Sequence, residues 1–126
     1  MGDRARVVFK EERHDRISPA IYLHWQGSSV MKLLSKTKNQ MNGRSDCDYV
    51  SARFVQVCAN NLESKNLSIG IINVDSLNQF ELDNADDDNG VFTVSLPNWT
   101  VTKTTVTNTG VHKTAEKLKE EVLHVW

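Results

Sequence analysis

The apolar positions of this chain run first at strand spacing, then at helical spacing, then at strand spacing again, and end on a second helical stretch. Residues 5–10, Ala-Arg-Val-Val-Phe-Lys, are rich enough in β-branched and aromatic side chains for a strand, and the charged run from Glu11 to Arg16 supplies a polar connection. Residues 17–25 alternate. Ile17, Ile21, Leu23 and Trp25 fall on one face, Tyr22 and His24 on the other, and Pro19 marks an edge or a bulge near the start. The two segments are expected to pair as a hairpin. Gly27-Ser28-Ser29 then breaks the strand and offers a hydroxyl cap to a helix over 29–41, whose Val30, Leu33, Leu34 and Met41 share one side. Asn42-Gly43 ends it. Ser45-Asp46-Cys47-Asp48 reads as a capping box for a second helix reaching about Leu62. Val50, Ala52, Phe54, Val55, Val57, Cys58, Ala59 and Leu62 make that helix apolar over more than half its circumference, which predicts the central, most buried helix.

The run Leu67 to Val74 has strand length and almost no polar residue, as a central strand covered on both faces would; Gly70 in its middle suggests a close backbone neighbour. Residues 75–90 read as an acidic loop closed by the turn Asn89-Gly90. Strands follow at 91–96 and 99–106, separated by Pro97-Asn98, and the Thr-rich second one suits an exposed edge. From Thr114 to Trp126, Ala115, Leu118, Val122 and Val125 recur at helical spacing among lysines and glutamates, which predicts an amphipathic terminal helix. The order ββααβββα implies one α+β domain over residues 1–126: a mixed or mainly antiparallel sheet of about five strands, two central helices and a C-terminal helix.

Composition narrows the function classes. With 39% hydrophobic and 25% charged residues, the 126-residue chain has the makings of a folded core and lies far from the signature of disorder. A formal charge of −1 gives no basis for general binding to nucleic acid. The charge is nonetheless lopsided: Lys32, Lys36, Lys38, Arg44 and Arg53 cluster over 28–53, whereas 75–90 carries six acidic residues and no basic one. No apolar run reaches the roughly 18–20 residues that span a bilayer, and the first residues lack the apolar core of a signal peptide, so no membrane partner and a cytoplasmic location are expected. Cys47 and Cys58, on one predicted helix, would sit about 16 Å apart at 1.5 Å per residue, too far for a disulfide.

Candidate chemistry is sparse. Asp86, Asp87 and Asp88 crown the acidic loop, yet alignment on a calcium loop puts Asn89 at the turn glycine and Ser95 at the bidentate glutamate, so a solvated loop is the simpler reading. The four histidines and two cysteines show no metal-ligand spacing, and no metal or cofactor is expected. Cys47 opens a helix, where the dipole lowers a thiol pKa, but Asp46 and Asp48 push it back. Tyr22, His24 and Trp25 place aromatic surface beside an imidazole, and Arg53 could hold an anion near them; core packing is the competing explanation for Trp25. No nucleophile elbow, phosphate loop or dinucleotide fingerprint occurs, and no catalytic residue is nominated.

The blocks Arg4-Ala5 with Val7-Val8-Phe9, Ile21-Tyr22-Leu23-His24-Trp25-Gln26-Gly27, Ala52 to Val57, Leu67 to Ile71 and Asp88 to Phe92 resemble small uncharacterised proteins of phages and other mobile elements, over residues 4–101. Those proteins commonly carry asparagine where this chain has Gln26. The resemblance implies a setting and no activity. The leading expectation is therefore a non-catalytic accessory module that engages a host or partner protein through the acidic loop or the edge strand, with self-association through the terminal helix or that edge. The alternative is a nucleotide- or sugar-binding or hydrolytic domain using His24, Tyr22 and Arg53.

Overall fold

In the computed structural model, which describes residues 2–61 and 68–118, β1 (Ala5–Glu11) sends Ala5, Val7 and Phe9 into the main core. By alternation Arg6, Val8 and Lys10 face the other way. β2 (Arg16–Ile17) and β3 (Ala20–Leu23) both pair antiparallel with β1, as the hairpin expectation required. The break between them is the Pro19 bulge: Ser18 donates its N–H to the Phe9 carbonyl at 2.8 Å, and its hydroxyl accepts from the Phe9 N–H at 3.0 Å. Ile21 and Leu23 join the core, while Tyr22 takes the opposite face.

Two helices cover the core face, α1 (Val30–Met41) and α2 (Cys47–Asn60). They bury Val30, Leu33, Leu34, Val50, Phe54, Val57 and Cys58 against β1, β3 and β5 (Val91–Leu96). β4 (Ile69–Ile72) pairs antiparallel with β3, and β5 runs parallel to β1. β6 (Thr100–Thr107) and β7 (Gly110–Lys117) complete a mixed seven-stranded sheet of order β4-β3-β1-β5-β6-β7, with β2 beside β1. α3 (Leu77–Asn84) lies on the second face, where Glu81 accepts a 2.6 Å hydrogen bond from the Thr93 hydroxyl. The chain is α+β with a mixed sheet. No helix among the described residues is long and apolar enough to cross a membrane.

Several finer expectations are corrected. β4 is an edge strand, with Ile71 67% exposed, so its apolar run is not covered on both faces. Gly70 marks no close approach, since a Cβ there would meet Tyr22 at an ordinary 3.7 Å. The Thr-rich strand is internal, because β7 pairs along its whole length. Residues 110–117 are extended, which removes the start of the terminal helix; Lys119–Trp126 lie outside the described residues, as do 62–67. The acidic stretch holds α3. Gly90 is the glycine the backbone requires: its φ is +76°, and a Cβ would stand 2.1 Å from the Thr104 carbonyl.

The capping box also gives way. α2 starts at Cys47 with no side-chain bond from its N-cap Asp46, and the Cys47 N–H instead donates to the Glu11 carboxylate at 2.9 Å. That bond, with a second contact from His14 Nδ1, holds the Glu11 carboxyl below its usual pKa. A depressed carboxylate contributes stability above the usual value of 4.5 that is lost as pH falls through the lower, folded value. Glu11→Gln is thus expected to be less stable than wild type at pH 7, with the gap narrowing between about pH 5 and pH 3. Urea midpoints at several pH values check this; a gap constant with pH would exclude the charged cap.

Candidate functional site

The β1–β3 register sets Arg6 directly opposite Tyr22, and the guanidinium carbon lies 5.0 Å from the centre of the phenol ring. The turn after α3 closes over this pair. Its geometry is held by Ala85, which is buried, by Gly90, and by Asn89, whose side-chain amide donates to Asp3 at 2.7 Å and to the Arg4 carbonyl at 2.9 Å. Asp87 is thereby placed in contact with Arg6, and Asp88 accepts from the Arg4 backbone N–H at 3.0 Å and from its guanidinium at 3.3 Å. Hydrogen bonds from Arg4 hold the Asp88 carboxyl below its ordinary pKa, and the same pair raises that of Arg4. Burial lowers the Arg6 pKa, yet a guanidinium keeps its charge throughout the working range.

The aromatic candidates adjoin this ion-pair layer. The Tyr22 hydroxyl lies 2.8 Å from His24 Nδ1, and the His24 ring meets Trp25 edge-on at 4.4 Å. Gly2 covers the other side of the imidazole, since a Cβ on Gly2 would stand 2.8 Å from Nε2. Trp25 is 47% exposed rather than core: the strand ends at Leu23, so the alternation that placed Trp25 beside it no longer applies. Arg53 is elsewhere. It lies on α2, across the sheet from Tyr22, and donates to Gln40 at 3.2 Å. Tyr22 and His24 therefore come together with Arg4, Arg6, Asp87 and Asp88, while Arg53 does not, and the three side chains of the supposed ligand pocket lie on two faces. Asp86 remains exposed.

Among the described residues no three His, Cys, Asp or Glu side chains converge as metal ligands; the aspartates turn to Arg4, Arg6 and, from Asp83, to Gln79. Burial, with Asp48 beside it, pushes the Cys47 thiol up to about 11, and burial pushes Cys58 to about 12. Neither offers a thiolate at neutral pH.

No family model, curated protein or solved structure matches the chain.

The remaining features are sheet edges and clefts. His24 donates its N–H to Ser68 at 3.1 Å, so by antiparallel alternation Gly70 and Ile72 bond inward to β3 while Ile69 and Ile71 turn their amides and carbonyls outward. Their side chains lie on the α2 face. There Ile71 borders an apolar groove of about 160 Å³ with Pro19, Ile21, Ser51, Ala52 and Val55. A wider cleft of about 400 Å³ opens between the start of α1 and β5–β7, where Lys103 lies over Phe92. Asp3 already occupies the turn that leads into α1 at that cleft, accepting from the Ser28 N–H at 2.9 Å, while α1 itself has no side-chain cap despite the hydroxyls expected to supply one. Sequence reasoning missed the groove, because an apolar edge strand and an apolar central strand read alike.

Proposed function

We propose that the protein is a non-catalytic accessory module of mobile-element type that captures an extended segment of a host or other partner protein as a strand added to β4. The exposed Ile71 carries this reading: an edge that no strand among the described residues pairs with, its backbone groups turned outward, lies directly beside an apolar groove. Strand addition supplies partners for the Ile69 and Ile71 amides and carbonyls, and the groove accepts an aliphatic side chain from the added strand. β4 has no lysine, proline or charge of the kind that blunts an edge against pairing.

The test is a random-peptide selection on the full chain. Enriched peptides should alternate aliphatic with polar residues and protect the Ile69 and Ile71 amides from hydrogen exchange. Ile71→Pro removes an outward donor without touching the bonds to β3, and should weaken their binding at least about tenfold. Peptides that bind this variant as well as wild type would remove β4 as the contact.

A further inference from the structure

We propose that β7 is a self-association edge, on which two copies of the chain pair antiparallel about a twofold axis at Thr114. This is independent of the β4 reading. All eight residues of β7 are exposed, and among the described residues no strand pairs with its outer edge. Leu118 donates its N–H to the Trp99 carbonyl, and counting back by twos turns the amides of even-numbered residues toward β6 and those of Val111, Lys113, Ala115 and Lys117 outward. A second β7 can use all four.

Charge selects the register. A twofold axis normal to the sheet keeps faces matched, so the strand must be centred on a single residue. Centred on Thr114, His112 of each copy stands opposite Glu116 of the other, Lys113 opposite Ala115, and Lys117 opposite Val111. The His112–Glu116 positions are non-hydrogen-bonded pairs, in which side chains come closest. The stem of Lys117 would also cover Val111, now 43% exposed. Moving the centre to Lys113 opposes two lysines, and moving it to Ala115 sets Lys113 against Lys117 twice; like charges opposite one another are destabilising. Lysine commonly guards an edge against such pairing. Here Lys113 is drawn onto its own chain, with Nζ 3.1 Å from the Glu81 carboxylate, and so guards less than its position suggests.

Sedimentation equilibrium of the full chain over a range of concentrations should show a reversible monomer–dimer equilibrium. Glu116→Lys takes away the carboxylate that faces the His112 imidazole in both cross-strand pairs, puts a fifth and sixth lysine along the seam, and should weaken the dimer about tenfold or more. Adding His112→Glu sets a carboxylate opposite each new lysine and should bring the constant back to within about threefold of wild type. Ala115→Pro removes an outward donor and should yield monomer, with an unchanged circular dichroism spectrum showing that the sheet is intact. A wild type monomeric at every concentration overturns the proposal. So does a dimer indifferent to both the charge exchange and Ala115→Pro.

Discussion

Asp87→Ala is expected to lower the unfolding free energy by about 3 kcal/mol or more, while Asp86→Ala, one residue away, changes it by less than about 0.5 kcal/mol. The difference follows from where the two carboxylates sit. The Asp87 side chain is 12% exposed and that of its partner Arg6 18%, whereas Asp86 projects into solvent. Removing the Asp87 carboxylate leaves the Arg6 guanidinium beneath the turn, desolvated, with the face of Tyr22 beside it, the like charge of Arg4 nearby and the solvent-exposed Asp86 acting on it more weakly than either. An uncompensated buried charge is among the few single changes that cost this much. Asp88→Ala should fall between the two, because its pair with Arg4 is more open: the side chains are 39% and 42% exposed. Urea midpoints, read with an unchanged denaturant slope, measure all three. A second arm separates charge burial from loss of the turn. Arg6→Met combined with Asp87→Leu removes both charges and should recover most of the loss. Equal effects of Asp87→Ala and Asp86→Ala would mean that the acidic turn is free of β1 and open to a partner, as its sequence suggested.

What could be read in the sequence was local. The helical spacing of Val30, Leu33, Leu34 and Met41, and of Val50, Phe54 and Val57, gave α1 and α2 because one turn of helix is its own evidence. The alternation around Tyr22 correctly set it opposite Ile21 and Leu23. The misreadings each have a long-range cause. Glu11 caps α2 from thirty-six residues away, displacing the local Ser45–Asp48 box. α3 was hidden because the position that faces the sheet most directly is Glu81, a charge bonded to Thr93 and Lys113, which interrupts any apolar stripe. Ala115 and Leu118 have helical spacing, but the two-residue connection Asn108-Thr109 between Thr107 and Gly110 turns the chain back along β6 and tertiary pairing prevails. At the site, the pairing of Arg4 with Asp88 spans 84 positions of sequence and that of Arg6 with Asp87 is comparably distant, so no window of sequence contains both partners. A net charge near zero conceals this, since a balanced total says nothing of whether charges are paired or apart.

Phe54→Ala should cost about 3–5 kcal/mol, and the adjacent Val55→Ala less than about 1.5 kcal/mol. Both residues look apolar and helical in the sequence, but only five positions of α2 are buried, Cys47, Val50, Phe54, Val57 and Cys58, while Ala52, Arg53, Gln56 and Ala59 are exposed and Val55 lies at the margin. Phe54 is fully enclosed and meets Phe9 edge-on at 5.5 Å; Phe9 in turn meets Trp99 at 6.3 Å, so one aromatic chain ties α2 through β1 to the turn before β6. Truncation at its end leaves a cavity that Val50 and Val57, fixed on the same helix, cannot fill, and it forfeits the ring contact as well. Phe54→Leu keeps much of the volume and should recover more than half the loss. The consequence reaches the proposed binding edge. The rotation of α2 that buries Phe54 is also what turns Ala52 and Val55 toward Ile71 to form the groove. Phe54→Ala should therefore weaken peptide capture on β4 even where the domain remains folded, whereas Val55→Ala should weaken capture while lowering the urea midpoint by less than half as much as Phe54→Ala does. Equal stability losses at the two positions would mean that α2 is rotated about its axis, and the groove beside Ile71 would be lost with that rotation.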